Sequence, residues 1–178
     1  MTPIVMPSLP EGRVLDVVRA PARVLATAGT PVDPRAPEVV QLAADLLATQ
    51  AVSPGCVGLA AHQVGMAVAM FSLDVSAHPK TRTCHGRFVL ANAQIVAATR
   101  KERGREGCLS VPDFTGDVAR ARRLSVRGQL PVTGQWLTLH TDAFEAVALQ
   151  HEIDHTQGLV FLDRVAGPQA IHPRRTYL

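Results

Sequence analysis

The chain has 178 residues, 47% hydrophobic and 19% charged, which is enough apolar content for a packed core and excludes a disordered chain. Its net charge of +3 comes from scattered arginines without a polybasic block or aromatic interleaving, so direct nucleic-acid readout is not expected, while local attraction for an acidic partner stays open. Cys56, Cys84 and Cys108 are odd in number and residues 1–12 have no basic region followed by an apolar run, which excludes a disulfide framework and gives a cytoplasmic localisation as the expectation.

Residues 1–37 carry seven prolines and are expected to be irregular, with a short helix near 12–18. Residues 38–50 place Val39, Leu42, Ala43, Leu46 and Leu47 at helical spacing behind Pro37, a good first-turn residue. Ser53-Pro54-Gly55 ends that helix. The most apolar stretch, 57–71, is broken by His62 and Gln63 and is too short to span a bilayer, so no membrane partner is expected. Residues 68–75 and 88–97 read as buried strands, the second with a bend at Asn92, and the charged segment 100–107 reads as a loop. Short alternating runs at 124–128 and 136–140, separated by Pro131, Thr133 and Gly134, read as a hairpin. Asp142 is placed to cap a helix over 143–157 that stops at Gly158. No linker or repeat divides the chain, so one α+β domain over 1–178 is expected.

His151 and His155 are four residues apart, which stacks both imidazoles on one helix face. Two such nitrogens are half of a divalent metal site, and Glu152 beside the first can accept a proton from water. The common zinc-protease patterns fail. One requires a third His where Phe161 stands, the other a downstream Glu, and none follows Glu152. Asp163 is the one carboxylate beyond the helix and reads as paired with Arg164 or another surface group. Cys108, in the loop-like Glu106-Gly107-Cys108-Leu109-Ser110, is the better third ligand. One thiolate and two imidazoles leave a coordination position open for catalysis, and Gly107 lets the backbone come close to the ion.

These residues resemble the signature of the peptide deformylases. Three segments carry the resemblance in order: Cys56-Val57-Gly58-Leu59-Ala60-Ala61-His62-Gln63, then Glu106-Gly107-Cys108-Leu109-Ser110, then Gln150-His151-Glu152-Ile153-Asp154-His155-Thr156-Gln157-Gly158. The resemblance implies an α+β fold of small mixed or antiparallel sheets around a central metal-binding helix. It implies a metal-dependent hydrolase that removes the N-formyl group from the N-terminal methionine of nascent polypeptides, by attack of metal-bound water with a Glu base. Cys108, His151 and His155 would hold the ion, Fe²⁺ in the cell with Zn²⁺, Ni²⁺ or Co²⁺ as substitutes. Glu152 would be base and then acid. Gln63 and the Leu109 backbone N–H would steady the oxyanion, and Val57, Gly58 and Val147 would border the methionine side chain. The partners implied are formyl-Met nascent peptides, with room for transient ribosome contact. The rival readings are an amidohydrolase for another small acyl group and a metal-binding module without turnover.

Several residues depart from the family pattern. Cys56 replaces a Gly, with Gly55 next to it to supply flexibility, and Ala143 stands where a Gly is usual. His62 reads as an exposed loop side chain. Thr156 replaces Leu, its hydroxyl expected to bond back to the helix. Asp154 is assigned to Arg120 behind the ligands, and Glu106 to orienting the Cys108 loop. Cys84 and His85 read as part of a solvated loop, and Arg174-Arg175 as a solvated tail.

Overall fold

The structure, a computed structural model, describes residues 1–175. Among the described residues, eight strands form two antiparallel sheets: β1 (Gly58–Ala60), β2 (Met70–Leu73), β3 (Phe88–Ala98), β4 (Lys101–Cys108), β5 (Val111–Ala121), β6 (Arg123–Gln129), β7 (Trp136–Asp142) and β8 (Ile171–Pro173). The first sheet has the order β1-β2-β3-β6-β7 and the second β4-β5-β8. Two α-helices, α1 (Pro37–Val52) and α2 (Ala143–Thr156), complete an α+β fold.

Side-chain alternation along β2 and β3 explains the layering. Phe71, Leu73, Phe88 and Leu90 point to one face and join Leu149 and Ile153 of α2. Met70, Val89 and Ala91 point to the other and join Val39, Leu42 and Leu46 of α1. A strand covered on both faces reads as a continuous apolar run, and that is why 68–75 is legible although the strand itself is Met70–Leu73, with Val68 in an isolated bridge to Thr30. Asn92 does bend β3: its φ is +53°. Its side-chain amide is held by Val32, whose N–H donates to Oδ1 at 3.0 Å and whose carbonyl accepts from Nδ2 at 2.8 Å. The β6–β7 hairpin forms as expected, with Val126 opposite Leu139.

Four local expectations are overturned. Residues 12–18 are not helical; a 3₁₀ turn lies later, at Arg23–Ala26. The backbone N–H groups of the earlier segment find tertiary acceptors instead: Arg13 on Asp45 Oδ1 at 2.8 Å, Leu15 on Thr49 Oγ1 at 2.9 Å, and Val18 on the Gln63 carbonyl at 2.8 Å. Residues 100–107 are not a loop but most of β4, paired with β5 from Lys101–Ala121 to Glu106–Gly116. This ribbon is exposed along much of its length, so its sequence lacks an apolar alternation. Asp142 occupies the N-cap position of α2 without a capping bond from its side chain, and Ala143 takes a left-handed φ of +50°. His85 is buried: its N–H and Nδ1 meet the Glu145 carboxylate at 2.7 and 2.8 Å, while Cys84 packs against the core.

Helix α2 is buried on nearly all sides, including its polar residues, and each of those needs a partner. Gln150 supplies one link, with Oε1 accepting from Ala121 N–H and Nε2 donating to the Ala121 carbonyl, both at 2.9 Å. That clamp fixes the end of β5 against α2 and so places the second sheet beside the helix.

Candidate metal centre

Helix α2 stacks His151 and His155 one turn apart, with ring centroids 4.9 Å apart and planes at 81°. Cys108 comes from the end of β4, at the last rung before the Leu109-Ser110 turn of the β4–β5 hairpin, rather than from a loop preceding a hairpin. Its Sγ lies 3.3 Å from His155 Nε2. One donor atom from each of Cys108, His151 and His155 lies within 4.8 Å of the other two. Ligands about 2.0–2.3 Å from one ion stand roughly 3–4 Å from each other, so this donor set fits a single divalent metal.

A buried ionic chain stands behind His151. Glu106 Oε2 lies 2.9 Å from His151 Nδ1. The same carboxylate accepts a two-pronged contact from Arg120, Nε at 2.7 Å and Nη2 at 3.0 Å. Arg120 Nη1 donates to Asp154 Oδ2 at 2.6 Å, and Arg164 closes the chain on Asp154 at 2.7 and 3.0 Å. Glu106 therefore orients His151 itself, turning Nε2 toward the cluster. Arg164 pairs with Asp154 rather than Asp163, whose Oδ2 accepts from the Val160 N–H at 2.8 Å. Burial opposes ionisation of Glu106, but the bonds from His151 and Arg120 outweigh it and hold its pKa down at about 2. For His151, burial disfavours the charged form, yet Cys108 and Glu106 raise its pKa well above the usual value.

Glu152 points the other way, into the cavity. It is 3% exposed, its Oε2 has no hydrogen-bond partner, and burial pushes its pKa up to about 7. Gly58 packs directly on this carboxyl; a Cβ there would overlap it. Gln63 is anchored by its Oε1, which accepts from Ala60 N–H at 3.0 Å, while Nε2 reaches Cys108 Sγ at 3.4 Å and Ser110 Oγ at 3.2 Å. Thr156 Oγ1 donates to the Ile153 carbonyl at 2.7 Å.

Cys108, His151, Glu152 and Gln63 line one cavity of about 540 Å³ together with Leu109, Val57, Gly58 and Val147, while His155 lies fully buried behind Cys108. The structure thus brings together all the candidate ligands, the candidate base, the candidate oxyanion donors and the candidate side-chain pocket, with Glu106 on its wall and Arg120 and Asp154 behind. Sequence reasoning missed Phe144 and Arg174 as lining residues. It also misplaced His62, which is fully buried with Nε2 3.0 Å from the Thr27 carbonyl. Cys56 escapes backbone strain because Gly55 takes the positive φ, +66°.

The sequence profile of the polypeptide deformylase family matches residues 14–170. A peptide deformylase from Syntrophobacter fumaroxidans is 36% identical over 152 residues, 85% of this chain and 86% of that protein. The crystal structure of peptide deformylase from Thermotoga maritima superposes with a TM-score of 0.77 at 26% identity, covering 87% of this chain and 99% of that one. A second, from Ehrlichia chaffeensis in complex with actinonin, gives 0.79 at 28% identity over 88% and 91%.

Proposed function

The chain belongs to the polypeptide deformylase family of enzymes, and from that premise we propose that it hydrolyses the N-formyl group from the N-terminal methionine of nascent polypeptides. The observation that carries this reading is the unpartnered Glu152 Oε2 beside Cys108 and His151, which line the same cavity and form one donor cluster with His155. We propose Cys108, His151 and His155 as ligands of one divalent ion, Fe²⁺ in the cell, with Zn²⁺, Ni²⁺ or Co²⁺ accepted by the same soft donor set. When bound, that ion supplies Lewis acidity, lowering the pKa of water and polarising a carbonyl.

The chain's own residues perform the rest. The methionine side chain lies against Val57, Gly58 and Val147, which orients the formyl carbon toward the cluster. Glu152 Oε2 takes a proton as water oxygen bonds to that carbon. The carbonyl oxygen gains negative charge, and the Gln63 amide and the Leu109 N–H donate to it. The C–N bond then breaks, formate departs, and Glu152 returns its proton to the leaving amine. Glu106, Arg120 and Asp154 hold His151 in place throughout.

We further propose that residues 1–178 act as one domain, in the cytoplasm, on chains emerging from the ribosome and in transient contact with it. Among the described residues, no helix is long and apolar enough to cross a membrane. The deciding experiment is an anaerobic assay with Fe²⁺- or Ni²⁺-loaded protein on N-formyl, N-acetyl and unblocked Met peptides. Turnover confined to the formyl peptides is expected, and equal rates on formyl and acetyl peptides would overturn the reading.

A further inference from the structure

One wall of the cavity is a single face of α2. Phe144, Val147, Ala148 and His151 follow the helical spacing of three and four, and all of them line the cavity. At about 1.5 Å per residue, Phe144 stands about 10 Å along the helix axis from His151. A second wall is formed by Val57 and Gly58, at the entry to β1.

Residues 74–81, which follow β2, join the two walls. The segment starts on Val57, whose carbonyl accepts from the Asp74 N–H at 2.8 Å. It reaches α2 at His78, whose ring lies face to face on Phe144, centroids 3.9 Å apart and planes at 12°. Its own hydrogen bonds hold the span between these anchors. The Val75 carbonyl accepts from the His78 N–H at 3.0 Å and from Thr81 Oγ1 at 2.6 Å, and the Thr81 N–H donates to the His78 carbonyl at 2.9 Å. The Lys80 N–H donates to His78 Nδ1 at 3.2 Å, which requires the lone pair of a neutral imidazole; burial, and then the Lys80 charge, lower the His78 pKa in the same sense. His78 and Phe144 are both half-buried, and both line the cavity. Two stacked rings anchored on separate elements make a stiffer wall than one side chain alone.

We propose that His78, braced on Phe144, is the end wall of the pocket for the substrate's first side chain and sets the length of side chain that the enzyme accepts. This rests on the deformylase reading for what enters the pocket. With the reacting carbonyl at Cys108 and His151, a side chain laid against Val57 and Val147 runs along α2 and meets the stack. An unbranched thioether fits such a slot, and its sulfur makes favourable contacts at aromatic ring edges. A side chain one methylene longer has to push His78 off Phe144 or withdraw the carbonyl from the cluster, and overfilling a packed pocket is costly.

The test uses Ni²⁺-loaded protein and two amidated peptides that differ by one methylene, formyl-Met-Ala-Ala and formyl-ethionine-Ala-Ala, in which an S-ethyl group replaces the S-methyl. In the wild type kcat/KM should favour the Met peptide by about tenfold. That ratio should fall toward one in His78→Ala, which removes the end wall, and persist in His78→Phe, which keeps a flat ring to stack on Phe144. Because the readout is a ratio, partial loss of folding in a variant does not mimic it. Binding of fluorescently labelled forms of the same peptides to Ni²⁺-loaded Glu152→Gln protein, with and without His78→Ala, gives the preference without turnover, by fluorescence anisotropy. A Met-to-ethionine ratio that is near one in the wild type, or that His78→Ala leaves unchanged, overturns the end-wall proposal, and turnover of the Met peptide then still supports the deformylase. If neither peptide is turned over while the Met peptide binds better and His78→Ala erases the difference, the deformylase reading falls and the end wall stands.

Discussion

Glu106 Oε2 stands 2.9 Å from His151 Nδ1 while both its oxygens are gripped by Arg120, so the orientation of a candidate metal ligand depends on an ionic chain running back to Asp154. Removing a carboxylate that holds a ligand imidazole typically costs 10–100-fold in metal affinity, roughly. Glu106→Ala should therefore raise the Ni²⁺ dissociation constant by about that factor, measured by chelator competition. Arg120→Met is the harsher change. It strands Glu106 and Asp154 as buried charges and should cost about 3–5 kcal/mol in unfolding free energy. An unchanged metal affinity in Glu106→Ala would reduce Glu106 to a purely structural ion pair.

The same carboxylate sets an acid limit on stability. Its pKa lies near 4.5 in the unfolded chain and at about 2 in the folded one, so between those values the unfolded state binds the additional proton. Its stabilisation is complete above about pH 4.5 and is lost as pH falls toward 2, about 3 kcal/mol in all. Urea titrations of metal-free protein between pH 6 and 3 should show the loss, and Glu106→Ala should flatten it.

Glu152 is the proposed base, so its protonation state should decide turnover. Glu152→Gln should retain the metal and lose about 10²–10⁴ in kcat. Burial pushes the Glu152 pKa up to about 7, and a base must be deprotonated, so kcat/KM should rise with pH and then level. The midpoint should lie at or below about 7, because a bound cation favours the carboxylate. Full activity in the Gln variant would remove Glu152 from the mechanism.

Much of this site was legible because its signals are local. A four-residue spacing on an amphipathic or buried helix survives any tertiary arrangement, as do the turn residues between β6 and β7. Cys108, 47 positions before His155, was reachable through the ligand chemistry of a thiolate and the short motif around it, not through local spacing. What was illegible depends on pairing between distant segments. The strand at 101–108 carries no apolar period because it lies in a ribbon wet along much of its length. Arg174 enters the cavity wall only because β8 docks on β5, and nothing in Pro173-Arg174-Arg175 announces that.

Loading the metal should release a proton. In the metal-free protein burial disfavours protonated His151, but Cys108 and Glu106 prevail and raise its pKa well above the usual value, so at neutral pH a proton must leave before its nitrogen can bind an ion. Calorimetric titration with Ni²⁺ in two buffers of different ionisation enthalpy should give different apparent heats, and affinity should weaken as pH falls. Chelation should abolish turnover and Ni²⁺ or Co²⁺ should restore it. Heats independent of buffer would mean that the ligands are already free of protons.

His62 offers a stability test separate from the metal. It is fully buried and bonded to the Thr27 carbonyl at 3.0 Å, and burial lowers its pKa. The unfolded chain therefore takes up a proton near pH 6.5 that the folded one resists, so stability is complete above that value and declines as pH drops below it. The amide of Gln can keep a donor to Thr27 but does not titrate. His62→Gln should accordingly lose about 1–3 kcal/mol at pH 8, through poorer packing, and show a shallower decline between pH 6.5 and 5 than wild type. Measuring both proteins by urea unfolding with metal bound isolates His62, since every other histidine is common to the pair. Parallel pH curves would mean that His62 keeps the same proton affinity folded and unfolded, against the burial described above.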